Sequence, residues 1–149
     1  MFVYSVCGPL HLNLIGLNYP KNLLEIIIAS DNSTDRTNQI VQEFIDEHSD
    51  FNIKLYVVKE RKGKTNAQNE AVKTANGEVL VFSDANAILH DDAIIHLVSS
   101  FTQDDIIYVT GKLIYVNNLD SITSEAEVNY WNYDLFMRKV ESDVKTITA

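Results

Sequence analysis

The chain has 149 residues, of which 46% are hydrophobic and 22% charged, the balance of one folded domain with a real core and not of a disordered tail. Its net charge of −9 repels phosphate backbones at long range, which argues against general nucleic-acid binding but leaves room for a small anion in a locally basic pocket. The single cysteine, Cys7, cannot form an internal disulfide and fits a reducing compartment.

Phe2 to Cys7 is apolar but short, and no basic residue precedes it, so it does not read as a signal peptide. No apolar run approaches the roughly 18 residues that span a bilayer. The expected location is the cytoplasm or the cytoplasmic face of a membrane. The chain then alternates strand and helix patterns, which predicts an α/β fold: a Rossmann-like, mainly parallel sheet flanked by helices. Leu24 to Ser30 is continuous and β-branched, interrupted only by Glu25, as in a strand covered on both faces. Asp31-Asn32-Ser33-Thr34-Asp35 reads as a turn into a helix, with Ser33 or Thr34 as cap and Asp35 in the first turn. Ile40, Val41, Phe44 and Ile45 recur at helical spacing to about His48.

Ile53 to Val58 is the next predicted strand. Lys64 to Asn76 is the next helix, with Ala67, Ala71 and Ala75 forming a small-residue stripe and Gly77 a stop. Glu78 to Ser83 is a third strand. Asp91 or Asp92 can cap a helix carrying Ile94, Ile95, Val98 and Phe101. Ile106 to Val116 is β-rich, with Gly111 as a break. Ser121 to about Ser142 reads as a long helix bearing Trp131, Leu135 and Phe136.

In open α/β sheets, ligands bind beyond the carboxyl ends of the strands. Two of those ends carry polar clusters: residues 30–35 after the first strong strand, and Ser83-Asp84-Ala85-Asn86 after the third. If the strands are parallel, both clusters open on one rim. Between them lie Lys59, Arg61, Lys62 and Lys64, four of the twelve Lys and Arg residues in the chain. Gly63 and Lys64 also begin a helix, where backbone N–H groups favour anions. A diphosphate could be neutralised there, although a solvated basic loop has the same composition. Asp84 and Asn86 offer oxygen donors of the kind Mg²⁺ or Mn²⁺ prefers, although a turn uses the same residues. His11, His48, His90 and His96 fall at no metal-ligand spacing and read as packing or surface residues.

These residues match a known pattern. Asp31-Asn32-Ser33-Thr34-Asp35 resembles the Asp-Gly-Ser-Thr-Asp segment of family 2 glycosyltransferases with the GT-A fold, and Tyr19-Pro20 resembles their lead-in. Gly63-Lys64 with Asn69-Glu70-Ala71 is similar to their Gly-Lys…Leu-Asn-Ala helix. Gly77-Glu78 and Val81 to Asn86 are similar to the strand ending in their DxD metal motif. Glu125, Tyr130 and Trp131 resemble a later glutamate and Tyr-Trp helix. The likeness runs from about residue 12 to about residue 142 of a single partial domain, 1–149.

The resemblance implies inverting transfer of a sugar from a nucleotide-diphosphate-sugar, a UDP-sugar by expectation, to a saccharide or lipid acceptor. It implies that Asp31, Asn32, Lys64, Asp84 and Ala85 bind the nucleotide-sugar, Asp31 at the base and Lys64 near the base or diphosphate. Asp84 and Asn86 would hold Mn²⁺ or Mg²⁺. Two departures stand out: Asn86 replaces the last aspartate of the triad, and Ser30 replaces a frequent aspartate before Asp31. The resemblance further implies that a first strand ending in Pro-x-Tyr-Asn is missing and that the general base lies beyond the chain. On that expectation the chain is donor-binding but inactive alone, with self-association through exposed edges. Two other readings remain: a nucleotide-binding module without turnover, and a phosphoryl-transfer or receiver-type domain using Asp31 and Asp84.

Overall fold

The computed structural model describes residues 2–5, 11–85, 87–101 and 106–112. Its elements run β1 (Phe2–Ser5), α1 (His11–Ile15), a 3-10 turn (Lys21–Leu23), β2 (Glu25–Ser30), α2 (Thr37–Glu47), β3 (Asn52–Val57), α3 (Lys64–Val72), β4 (Val81–Asp84) and α4 (Ala93–Ser99). Met1–Val109 form one compact unit that contains all of them, and Thr110–Ala149 a second.

The four strands make one sheet in the order β3-β2-β1-β4, and every pairing is parallel. Parallel neighbours need long crossovers, and α1, α2 and α3 supply them. The chain walks outward from β1 to β3 and then returns to the far side of β1 for β4. That reversal is a topological switch point, the place where open α/β sheets leave a crevice beyond the strand ends.

β2 is buried along its whole length, and alternate residues serve opposite faces. Ile26 and Ile28 join Leu14, Val41, Phe44, Ile53, Val81 and Ile94 on one side. Ile27 and Ala29 join Val58, Ala67 and Ala71 on the other. Thus α1, α2 and α4 cover one face and α3 covers the second. Ala67 and Ala71 are both fully buried; methyl side chains four residues apart let α3 lie close on the sheet.

Several boundaries differ from the sequence reading. Phe2–Ser5, an unpromising strand by sequence, occupies the sheet between β2 and β4. The position expected to lack its strand is therefore filled, and backbone pairing on both sides compensates for its four-residue length. α2 begins later than expected: neither Ser33 nor Thr34 caps it, and Asp35 precedes the first turn, accepting a hydrogen bond from Thr37 N–H at 3.0 Å. Hydrogen bonding from the Thr37 side chain, and then from its backbone N–H, holds the Asp35 carboxyl below its ordinary range. α3 ends at Val72, not near Asn76, and continues as a turn closed by Thr74 N–H to Ala71 C=O at 3.0 Å. β2 starts one residue later than expected, β3 runs Asn52–Val57, and β4 starts at Val81 and includes Asp84. α4 has Asp92 at its N-cap position but no side-chain cap bond. Residues 106–112 form no strand. Residues 113–116 and the Ser121–Ser142 helix lie outside the described residues.

At the end of β2 away from the strand C-termini, Glu25 is only 6% exposed. Its carboxylate accepts from Lys54 Nζ at 2.6 Å and from the backbone N–H and side-chain amide of Asn76, each at 2.9 Å. Burial opposes its ionisation, but these bonds and the Lys54 charge outweigh burial and keep the carboxyl below its usual range. Glu25 thereby ties the turn after α3 to the sheet.

Candidate functional site

The parallel register puts Ala29, Ser5 and Asp84 in one row at the C-terminal edge. Asp31 follows β2 two residues beyond that row, so both acidic positions open on the same rim. β3 remains paired past its last strand residue, with Val58 N–H donating to Ser30 C=O at 3.1 Å. The chain then turns back across the rim as residues 59–63 before entering α3.

Asp31 secures that crossing strap. Its two carboxylate oxygens accept the backbone N–H groups of Lys62 at 2.9 Å and Gly63 at 2.8 Å, with Arg61 Nε 3.8 Å away. A carboxylate has about four acceptor positions, so Asp31 retains acceptor capacity beyond these two bonds. The N–H groups of Gly63 and Lys64 were expected to favour a ligand anion; that of Gly63, together with that of Lys62, instead holds the protein's own carboxylate. Gly63 has φ 93° and ψ 165°, a region essentially restricted to glycine, and that conformation lets two successive N–H groups reach one side chain. Asn32 has φ 51°, which Asn tolerates better than most residues, and its side-chain amide reaches Lys59 C=O at 3.4 Å. Ser30 is buried, and its hydroxyl lies 3.3 Å from the hydroxyl of Ser33 and 3.4 Å from Ser33 N. It fits a neutral turn position between sheet and loop.

The basic island is largely paired. Arg61 lies beside Asp31, Lys62 Nζ is 2.8 Å from Glu60, and Lys64 Nζ forms an ion pair with Asp84 Oδ1. Residues 61–64 therefore span the rim from Asp31 to Asp84. Both partners of the Lys64–Asp84 pair are about half exposed.

Beyond β4, Ala85 lies in a turn, closed by Ala87 N–H to Asp84 C=O at 3.0 Å. Asn86 lies outside the described residues. The returning chain is fixed by two asparagines that local sequence reading missed. Asn13 on α1 donates to Leu89 C=O at 2.9 Å and accepts Leu89 N–H at 2.8 Å. Asn18 donates its side-chain amide to Asp92 Oδ1 at 2.9 Å and its backbone N–H to Asp91 C=O at 2.8 Å. A polar residue in an apolar helix such as Leu12-Asn13-Leu14-Ile15 is the available signal, but its partner is 76 positions away. Glu25 carries a similar signal, because a charge in a doubly covered strand needs partners.

Asp84 provides one exposed carboxylate at the crevice. Among the described residues, no group of three or more His, Cys, Asp or Glu side chains could hold a metal ion. The donor chemistry therefore fits a hard divalent cation only as a partial site, completed by ligands such as substrate phosphates. His48 is a packing residue, with Nδ1 2.9 Å from Phe44 C=O and its ring 4.3 Å from the Phe44 ring. No helix among the described residues is long and apolar enough to cross a membrane.

Comparison with known proteins bears on this arrangement. The chain is 38% identical over 108 residues to the probable glycosyltransferase YdaM of Bacillus subtilis, covering 70% of this chain and 25% of that protein. It is 25% identical over 135 residues to the β-monoglucosyldiacylglycerol synthase of a Nostoc species, covering 91% of this chain and 29% of that protein. A solved mannosyltransferase from Pyrobaculum calidifontis, in complex with GDP-Man and Mn²⁺, superposes with a TM-score of 0.64 at 27% identity. That match covers 69% of this chain and 32% of the mannosyltransferase. The chain thus spans about a quarter to a third of the length of these relatives. The family model for glycosyl transferase family 2 matches residues 12–147; with a parallel sheet and helices on both faces as in GT-A enzymes, the chain belongs to that family.

Proposed function

We propose that this chain forms the donor-binding part of an inverting glycosyltransferase that uses a nucleotide-diphosphate-sugar, a UDP-sugar by first expectation, with help from Mn²⁺ or Mg²⁺. The observation that carries this reading is the shared rim, where Asp31, the 61–64 strap and Asp84 converge beside a topological switch point. Asp31 has acceptor capacity for a base N–H. Asn32 and Ala85 flank the crevice as further contacts. Lys64 supplies a cation for the diphosphate, and Asp84, with Asn86 of the same triad, supplies oxygen ligands. The metal would stabilise the charge that develops on the departing nucleotide.

The likeness to a mannosyltransferase complexed with GDP-Man and Mn²⁺ supports a nucleotide-sugar and a divalent cation, and makes GDP the first alternative nucleotide to test. The relative named for monoglucosyldiacylglycerol synthesis supports a lipid among acceptor candidates, beside a saccharide. Membership of the transferase family disfavours a receiver-type domain. A donor-binding module without turnover differs from a complete enzyme in one observable: release of free or transferred sugar. On this proposal the chain binds donor without turning it over, because deprotonation of the acceptor requires a general base that we assign to no residue here. The exposed β4 side chains, with Phe82 52% exposed, support self-association, which sedimentation analysis would detect.

Calorimetric titration of the chain with UDP, in Mn²⁺ and in chelator, tests the proposal. Binding should require the metal and should be lost in Asp84→Ala. Binding of equal strength in chelator would remove the metal from the account, and no binding of UDP or GDP under any condition would remove the donor site.

A further inference from the structure

We propose that Lys64 is a resident counter-ion for Asp84, which holds the carboxylate against taking a divalent cation alone and moves to the diphosphate when the donor arrives, so that metal and nucleotide bind together. This deepens the donor-site reading above and rests on it.

Three features of the rim lead there. The first is the ion pair itself: Lys64 Nζ sits on Asp84 Oδ1, so a cation already occupies the only carboxylate that β4 carries to the rim. The second is the way Lys64 is held. Asp31 fixes the N–H groups of Lys62 and Gly63 immediately before it. Ala67, a turn later, donates its N–H to Gly63 C=O at 3.1 Å and is fully buried against the sheet. Lys64 therefore leaves a backbone pinned on both sides, which reduces the freedom lost when its ammonium pairs. The third is charge. With the pair in place the local site is neutral. A divalent cation added alone leaves two uncompensated positive charges, whereas a cation arriving with a doubly ionised diphosphate restores neutrality. Among the described residues, Asp84 belongs to no group of three or more His, Cys, Asp or Glu side chains that could hold a metal ion.

The sequence of contacts follows from this balance. Before loading, Lys64 bonds Asp84. After loading, its N–H donors turn to phosphate oxygens, which accept charge-assisted bonds well, and Asp84 is released to the metal. No covalent bond changes in this exchange. An ion pair between half-exposed groups shifts an equilibrium by about two- to fivefold, which sets the size of the effect on metal binding.

The test uses the full 149-residue chain as wild type, Lys64→Met, Lys64→Arg and Asp84→Ala, with folding checked by circular dichroism. Free Mn²⁺ is followed by electron paramagnetic resonance without nucleotide, and UDP is titrated by calorimetry at saturating Mn²⁺. Lys64→Met should bind Mn²⁺ alone about two- to fivefold more tightly and UDP about tenfold more weakly, the low end for a hydrogen bond to a charged group. Lys64→Arg should stay near wild type in both, and Asp84→Ala should not bind Mn²⁺. Opposite signs for the two ligands distinguish this exchange from general damage to the site. Unchanged or weaker Mn²⁺ binding by Lys64→Met, or no Mn²⁺ binding by either protein, would overturn the proposal. If wild-type UDP binding still depends on Mn²⁺ while Lys64→Met leaves Mn²⁺ binding unchanged, only the counter-ion role falls; if UDP binding ignores Mn²⁺, the metal-assisted donor site falls with it.

Discussion

Replacing Glu25 with Gln tests how the scaffold beneath the rim is held. The carboxylate serves three donors: Lys54 Nζ and the Asn76 side-chain amide on Oε1, and Asn76 N–H on Oε2. A glutamine can keep its oxygen at the Oε1 position, but its NH₂ then faces Asn76 N–H, and the attraction for Lys54 loses its full charge. Turned the other way, it disappoints two donors. The first orientation is the milder, losing one bond and weakening another. Hydrogen bonds to charged groups are worth about 1.5–3 kcal/mol each. Lys54 is about half exposed and Asn76 is exposed, so both regain water, and the expected loss is about 1–2 kcal/mol.

The pH dependence has a definite sign. The folded-state carboxyl lies below its reference value of 4.5, so the native state favours the ionised form. That stabilisation is fully present above the reference value and is lost as pH falls through the lower folded value. Urea unfolding of wild type and Glu25→Gln should therefore show a constant difference from neutrality down to pH 4.5 that closes at more acid pH. Equal stability at neutral pH, or a difference that persists unchanged in acid, would refute this account of Glu25.

Three further outcomes follow from the rim and its supports. Asn13→Ala removes both hydrogen bonds to Leu89 and should cost about 1–3 kcal/mol, read as a lower urea midpoint at constant slope; an unchanged midpoint would mean that Asn13 does not fix the returning chain. Gly63→Ala has open space for its Cβ but must hold a glycine-only conformation at a cost of about 1–3 kcal/mol, so the strap should rearrange and UDP affinity should drop without a steric clash; unchanged affinity would count against the strap. Asp31→Asn leaves one of the two strap N–H groups facing a donor, and hydrogen exchange at Lys62 or Gly63 should quicken about tenfold, equivalent to roughly 1.4 kcal/mol; no change at either amide would mean that the carboxylate does not secure the strap.

Much of the fold was legible where one physical demand dominates the local pattern. β2 is apolar on both faces because helices cover both, and its run of isoleucines announces that directly. The alanine stripe of α3 likewise records how closely the helix lies on the sheet. Boundaries set by single contacts were less legible. Phe2–Ser5 is too short to carry a pattern, and its place depends on pairing with β2 and β4. α2 starts at Thr37 because Asp35, not Ser33 or Thr34, meets its first N–H.

The site divides in the same way. Asp31, Asn32, Lys64, Asp84 and Ala85 were picked out by type and order along the chain, and the parallel sheet brings the segments bearing them to one rim. Sequence did not reveal that Asp31 holds the strap's backbone or that Lys64 is paired with Asp84, because each contact joins residues 20 to 32 positions apart. Asn13 and Asn18 were hidden for the same reason, with partners 76 and 74 positions away.

The central claim is that a nucleotide diphosphate and a divalent cation meet at the rim formed by Asp31, the 61–64 strap and Asp84. Amide NMR spectra of the chain with UDP, recorded in Mg²⁺ and then with traces of Mn²⁺, test it most directly, because the paramagnetic ion broadens the signals nearest to it. The account predicts broadening centred on Asp84 and Ala85, extending to Gly63 and Lys64 and then to Asp31, and dependent on UDP. Broadening centred instead on the acidic exposed face of α2 at Glu43, Asp46 and Glu47, or the same broadening with and without UDP, would contradict it.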